Sequence, residues 1–183
     1  MNASHHTPHH TPNDGPQDFS APWGRQLMLI TALCGVILFG ISGVLLAQAP
    51  ENPPLMYRLG IWLSPAIFLL CALFSVRGYR LENQCLVVRR PGWRTRVPLL
   101  DVESVAHQPE ATKGSIRIFG NGGLFGFTGL FRNQKLGRYR AFATDLTHTV
   151  VIRMPAKTIV VTPGDPDRFV NEINRICQTK TTD

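Results

Sequence analysis

Between Leu27 and Val76 the chain is nearly devoid of polar positions. Two apolar runs, LMLITALCGVILFGISGVLLA (27–47) and LGIWLSPAIFLLCALFSV (59–76), are separated by the Pro-rich link QAPENPPLMYR. The runs hold 21 and 18 residues without a charge, and a helix needs roughly 20 residues to cross the hydrocarbon of a bilayer. Lipid offers unpaired backbone groups no partner, so successive runs of this length predict a transmembrane helical hairpin over residues 26–77. Ala47-Gln48-Ala49 has the form of a leader cleavage site, but the run before it exceeds the roughly 7–15 residues of a leader's apolar stretch. Gly40, Gly43 and Ala47 share one helical face, and Gly60 with Ser64 forms a small pair in the second run. Small residues let helices approach closely, within the hairpin or between copies in a homo-oligomer. Pro65 is expected to kink the second helix. Neither run contains an ionisable side chain other than Cys, which makes the hairpin read as an anchor and not as a conduit.

Beyond the hairpin the apolar positions alternate. Strands are predicted at Tyr79–Asn83, Gln84–Arg90, Arg94–Pro98, Leu99–His107, Ser115–Phe119, Arg138–Thr144, Val150–Met154 and Thr158–Thr162, with turns at Pro91-Gly92 and Pro155-Ala156-Lys157. Short strands at this spacing predict an antiparallel sandwich or small barrel. Asp165 and Pro166 form an N-cap and first-turn pair. They open a helix whose Phe169, Val170, Ile173 and Ile176 fall on one face. The expected fold class is therefore an α+β membrane protein: a transmembrane hairpin, then a β-rich domain over residues 78–178 closed by a helix. Residues 1–25 and 179–183 are expected to lack structure. The first 22 are polar and Pro-rich with HHTP twice, too poor in apolar surface to offset their ordering entropy. The pairs His5-His6 and His9-His10 suit weak transition-metal binding or a plain low-complexity tail.

Charge then orients the chain. The part after the second run holds 17 of the 19 Lys and Arg but 9 of the 12 acids. Flanking cations resist translocation, so both termini are expected in the cytoplasm. Trp23, Tyr57 and Trp62 stand where aromatic rings settle at headgroup level. A basic cytoplasmic portion is attracted to anionic lipid. Nucleic acid is not expected as a partner, since no recognition motif accompanies the charge. The four cysteines have no metal or redox spacing and read as small buried side chains in a reducing compartment.

Three blocks carry a family likeness: LLDVESVAHQP (99–109), SIRIFGNGGLFGFTGLFRNQKLGRYRAFATD (115–145) and KTIVVTPGDPDRFVNEI (157–173). With them the region behind the hairpin resembles the bacterial pleckstrin-homology (PH-like) domain family. That resemblance implies a seven-stranded, partly open barrel capped by a helix, with no catalysis and no cofactor. Eukaryotic PH domains that bind phosphoinositides use basic residues about the first hairpin loop. The loop RRPGWRTR is similar in chemistry, though it lacks their spacing and their Lys.

Two stretches are candidate contacts with lipid or a protein partner. One is the basic hairpin, where Arg89, Arg90, Arg94 and Arg96 surround Trp93; guanidinium forks suit phosphate and Trp suits an interface. The other is the Gly/Phe segment 120–131, with Leu124, Phe125, Phe127, Leu130 and Phe131 followed by Arg132 and Lys135. It reads either as an exposed apolar rim or as core packing, with glycines permitting positive φ. Its spacing is not that of a nucleotide loop. No nucleophile accompanies His107 or His148, and Asp101 and Glu103 read as solvated strand positions, so no catalytic, cofactor or metal residues are assigned. The functional expectation is a cytoplasmic binding or scaffolding module. The alternative is a sensor of anionic headgroups acting through Arg89–Arg96.

Overall fold

The computed structural model describes residues 15–179. In order these form β1 (Gln17–Ser20), α1 (Arg25–Ala47), α2 (Leu55–Leu73), β2 (Gly78–Glu82), β3 (Cys85–Arg89), β4 (Arg94–Pro98), β5 (Ser104–His107), β6 (Ile116–Gly122), β7 (Phe127–Asn133), β8 (Gly137–Ala143), β9 (Val150–Met154), β10 (Lys157–Val161) and α3 (Pro166–Thr179).

The two apolar runs are helical. They fold back on each other, with Phe39 edge-on to Phe68 at 5.3 Å and the Tyr57 hydroxyl donating to Leu45 O at 2.7 Å. Gly35 meets the Phe68 ring and Gly60 meets Leu45, whereas Gly40 and Gly43 face open space. Both helices are long and apolar enough to cross a membrane, and within their most apolar stretches only 11% and 6% of residues are buried. A core helix of a soluble protein would be covered on its apolar face.

The tail is the first departure from expectation. Gln17–Ser20 was expected to lack structure, yet it pairs antiparallel with β2, Gln17 opposite Leu81 and Ser20 opposite Gly78. The cause is Phe19, which is buried with its ring edge-on to Phe169 at 4.9 Å. The helical hairpin is thus inserted between two neighbouring strands of one sheet. The histidine pairs, with the rest of residues 1–14, and residues 180–183 lie outside the described residues.

The strands form two sheets, ordered β1-β2-β3-β4 and β5-β9-β10-β8-β7-β6, not the single seven-stranded barrel expected. Two strands unread in the sequence account for much of the difference: β1, hidden in a polar tail, and β7, hidden in the Gly/Phe segment. β8 pairs parallel to β10, and the other neighbours are antiparallel. Asn83 and Gln84 both take positive φ, 48° and 56°, which turns β2 tightly into β3. The expected strand Leu99–His107 is extended only from Ser104.

One core lies between the sheets. Tyr79, Leu86, Val88, Phe142, Ile152 and Ile159 meet Phe169 and Ile173 of α3 there. The helix starts as the sequence predicts, with the Asp165 carboxylate accepting from Arg168 N at 3.0 Å. A second core on the outer face of the six-stranded sheet joins Phe127, Phe131, Tyr139, Ala141 and Val160 to Leu27 of α1.

Candidate functional site

The sequence turns from domain to helix at Pro22-Trp23-Gly24, and a chain of buried hydrogen bonds fixes this junction. Tyr79 Oη donates to Phe142 O and accepts from Thr162 N at 3.1 Å. Thr162 Oγ1 accepts from Thr144 N at 2.9 Å. The Thr144 hydroxyl donates to Pro22 O at 2.7 Å, and Thr144 O accepts from Gly24 N at 3.0 Å. Tyr79, Thr144 and Thr162 are fully buried. Burial pushes the Tyr79 phenol pKa up to about 12, so the hydroxyl keeps its proton as a donor. Position 24 is tight for any side chain, because a Cβ there would stand 2.8 Å from Asp145 Oδ1 and 3.1 Å from Asp145 Cα.

The Gly/Phe segment forms the other half of the junction. Asn121 caps the β6–β7 turn, its Oδ1 accepting from Leu124 N at 3.2 Å and its Nδ2 donating to Leu124 O. The turn reaches into the base of the helical hairpin. Phe125 N donates to Thr31 Oγ1 at 3.1 Å, and the Phe125 ring sits 4.8 Å from Phe68 and 6.0 Å from Trp23. Gly123, at φ +135°, lets Ile30 approach. Phe127 and Phe131 belong to the outer core. Of the two readings for this segment, packing therefore holds for Phe125, Phe127 and Phe131.

A cleft of about 660 Å³ opens beside the junction. Its walls are Cys71 and Phe74 at the end of α2, Arg90 after β3, Arg117 and Phe119 on β6, Leu130 on β7, and Arg140 and Phe142 on β8. Its floor carries no side chains where Gly120 and Gly129 face each other across β6 and β7. A Cβ on either would lie within 2.4 Å of the opposite backbone, at 2.3 Å from Thr128 O and 2.2 Å from Phe119 O respectively. Arg90 and Arg140 hold their guanidinium carbons 5.3 Å and 5.2 Å from the centroid of Phe142. Arg90 also stacks on Trp93 at 5.6 Å. Desolvation, with Arg140 as a neighbouring positive charge, pushes the Arg90 pKa down. Buried Nε of Arg90 has no hydrogen-bond partner. Among the described residues no carboxylate pairs with Arg90, Arg117 or Arg140.

The candidate contacts from the sequence therefore separate. Arg89 lies 3.5 Å from Asp18, which also binds Arg80 at 2.7 Å, so β1 neutralises part of the basic hairpin. Arg90 turns into the cleft. Trp93, a candidate for contact with lipid or a partner, packs edge-on to Phe74 at 4.7 Å and remains 38% exposed. Arg94 and Arg96 are exposed on β4. Arg132 and Lys135 lie at the opposite end of β7 from Phe125; the strand rises roughly 3.3 Å per residue, which keeps them from acting beside that ring. Leu130 lines the cleft. Sequence reading missed Phe74 and Phe142 and the place of Arg140 beside them. The available signal was parity: Arg140 and Phe142 fall on one face of RYRAFA, so an arginine shares a face with a core aromatic.

His107 Nδ1 lies 3.3 Å from Asp167 and His148 Nδ1 lies 2.9 Å from Asp145, pairings that tie α3 to the sheet and brace the β8–β9 loop. Residues 77–176 match the family model described as Bacterial PH domain. No curated protein and no solved structure matches the chain.

Proposed function

The chain belongs to the bacterial PH domain family, and from that premise we propose that it is a membrane-anchored, non-catalytic binding module. In this reading α1 and α2 span the bilayer, and the domain stands on the cytoplasmic face to hold a protein partner. The observation that carries it is the junction: β1 before the hairpin and β2 after it are paired strands, and Thr144 bonds to both Pro22 and Gly24. A domain fixed at this point is presented at a constant height and angle. The Arg-rich stretch after α2 supports a cytoplasmic location.

The element open to a partner is the edge strand β6, where Ile116, Ile118 and Phe119 are 73%, 48% and 79% exposed. An uncovered apolar edge is a template for strand addition by another chain. The test is a photo-crosslinking residue placed at Ile118, and as a control at exposed Lys157, in the full chain in cells. A discrete protein adduct from position 118 and none from 157 is expected. Equal adducts from both positions, or none, contradict the reading. A second reading, recognition of anionic headgroups, draws its support from unpaired Arg90 and not from the outward hairpin, since Arg89 already has a carboxylate partner.

A further inference from the structure

A second pocket, of about 240 Å³, lies on the outer face of the six-stranded sheet beside Gln26 in the first turn of α1. Arg117 borders the cleft as well, but its side chain folds across Gly122 on this outer face. A Cβ on Gly122 would stand 3.2 Å from Arg117 Cδ and 3.3 Å from Nη1, so the bare position makes room for the guanidinium. Arg117 is exposed at the pocket's rim and has no carboxylate partner among the described residues. Within the pocket Ser115 carries a surplus donor. Its Oγ accepts from Asn133 Nδ2 at 3.0 Å and from Tyr139 Oη at 2.6 Å, so its own proton has no acceptor among the described residues. Were the Tyr139 bond reversed, the phenol proton would be released instead, and one hydroxyl proton is spare in either arrangement. Burial raises the Tyr139 pKa, so the count holds at neutral pH. No carboxylate lines the pocket, and Phe127, Phe131, Ala141 and Leu146 make much of its wall apolar.

A cation and a spare hydroxyl proton offered together select a group that only accepts, and a carboxylate is such a group. One guanidinium fork offsets one negative charge and matches two coplanar oxygens, which favours a carboxylate over a phosphate dianion. The volume falls below the roughly 300–1,000 Å³ of pockets that take drug-sized ligands, so the ligand is small. We propose that this pocket binds a small monocarboxylic acid, its carboxylate held by Arg117 and the Ser115 hydroxyl and its apolar body against Phe127 and Phe131. The domain is then a receptor for a small organic acid in addition to a docking module. The site lies on the opposite face of β7 and β8 from the cleft. It owes nothing to Arg90, Arg94 or Arg96 and does not rest on the membrane-anchored reading.

The full chain in a neutral detergent is titrated with benzoate and with its neutral isostere benzamide, and binding is read by saturation transfer to the ligand protons above that of empty micelles. Benzoate is expected to bind about tenfold tighter than benzamide, the scale of one charge-assisted hydrogen bond. Arg117 sits on an exposed edge strand, so Arg117→Gln leaves folding intact, as a thermal melt would confirm, and should weaken benzoate about tenfold. Ser115→Ala should weaken it severalfold. Arg94→Gln with Arg96→Gln, remote from the pocket, should leave it within about twofold. No transfer beyond that of empty micelles, equal affinity for benzoate and benzamide, or full affinity in Arg117→Gln overturns the proposal. The comparison of acid with amide needs no variant. Displacement of benzoate by an equal concentration of inorganic phosphate overturns the carboxylate assignment. The crosslinking test at Ile118 is independent of all these outcomes, so failure of one reading is distinguishable from failure of the other.

Discussion

At the scale of single residues, the positions with most influence are those where the domain meets the helices. Tyr79 keeps its hydroxyl in a fully buried pair of hydrogen bonds, to Phe142 O and from Thr162 N. Tyr79→Phe strands both groups away from water and is expected to destabilise the protein by about 1–3 kcal/mol, read by chemical denaturation of the full chain in detergent. The same residue sets an alkaline limit. Its pKa rises from 10.0 to about 12 on burial, so the neutral phenol is favoured by folding. That contribution is complete below pH 10, falls as the unfolded phenol ionises, and is gone once the pH passes about 12. The fall across pH 10–12 should be smaller in Tyr79→Phe. At Gly24, where a Cβ would meet Asp145, Gly24→Ala is expected to cost about 1–3 kcal/mol by overpacking and to speed proteolysis between Ser20 and Arg25. None of these roles was visible in the sequence. Tyr79 opens an alternating stretch and Gly24 ends a polar tail, and only the pairing of distant segments gives either its partner.

At the scale of elements, the readable parts were those whose signal is local. The two apolar runs, the Asp165-Pro166 helix start and the strands Arg94–Pro98 and Val150–Met154 lie where hydropathy, capping and alternation place them. What escaped was set by long-range pairing. β1 is four residues of a polar tail with one large apolar side chain, Phe19, too short for a period to show. β7 was hidden by the glycines around it and by its own Gly129, which is required by close backbone approach to β6 and not by a loop. The basic hairpin was legible as a charge cluster. The split between neutralised Arg89 and inward-facing Arg90 depends on Asp18, some 70 residues earlier in the chain. A testable consequence concerns truncation. A fragment beginning at Arg77 lacks Phe19, and loss of a buried Phe side chain costs about 3–5 kcal/mol. It is expected to unfold at a lower temperature than a version in which residues 15–21 precede Arg77 through a short Gly/Ser linker. Equal midpoints in a thermal melt would mean that β1 adds nothing to the domain.

At the scale of the whole molecule, an insertion of two apolar helices between adjacent strands makes one body of anchor and domain. Leu27 of α1 lies in the outer core of the six-stranded sheet, and the β6–β7 turn bonds to Thr31 six residues into the same helix. The first two turns of α1 are thereby domain-packed, while much of the rest of the hairpin is exposed apolar surface. On the proposed reading, the bilayer covers that surface. Edge strand β6 is left free for a partner.

The claim on which these relations depend is that α1 and α2 cross the membrane and leave both the domain and the N-terminal strand on the cytoplasmic side. Its most direct test is thiol accessibility in intact cells, using chains in which Cys34, Cys71, Cys85 and Cys177 are replaced and a single cysteine is introduced as Glu51→Cys or Lys157→Cys. With a membrane-impermeant maleimide, the account predicts labelling of Glu51→Cys in intact cells and of Lys157→Cys only after lysis. Labelling of both positions from the same side of the membrane would contradict it.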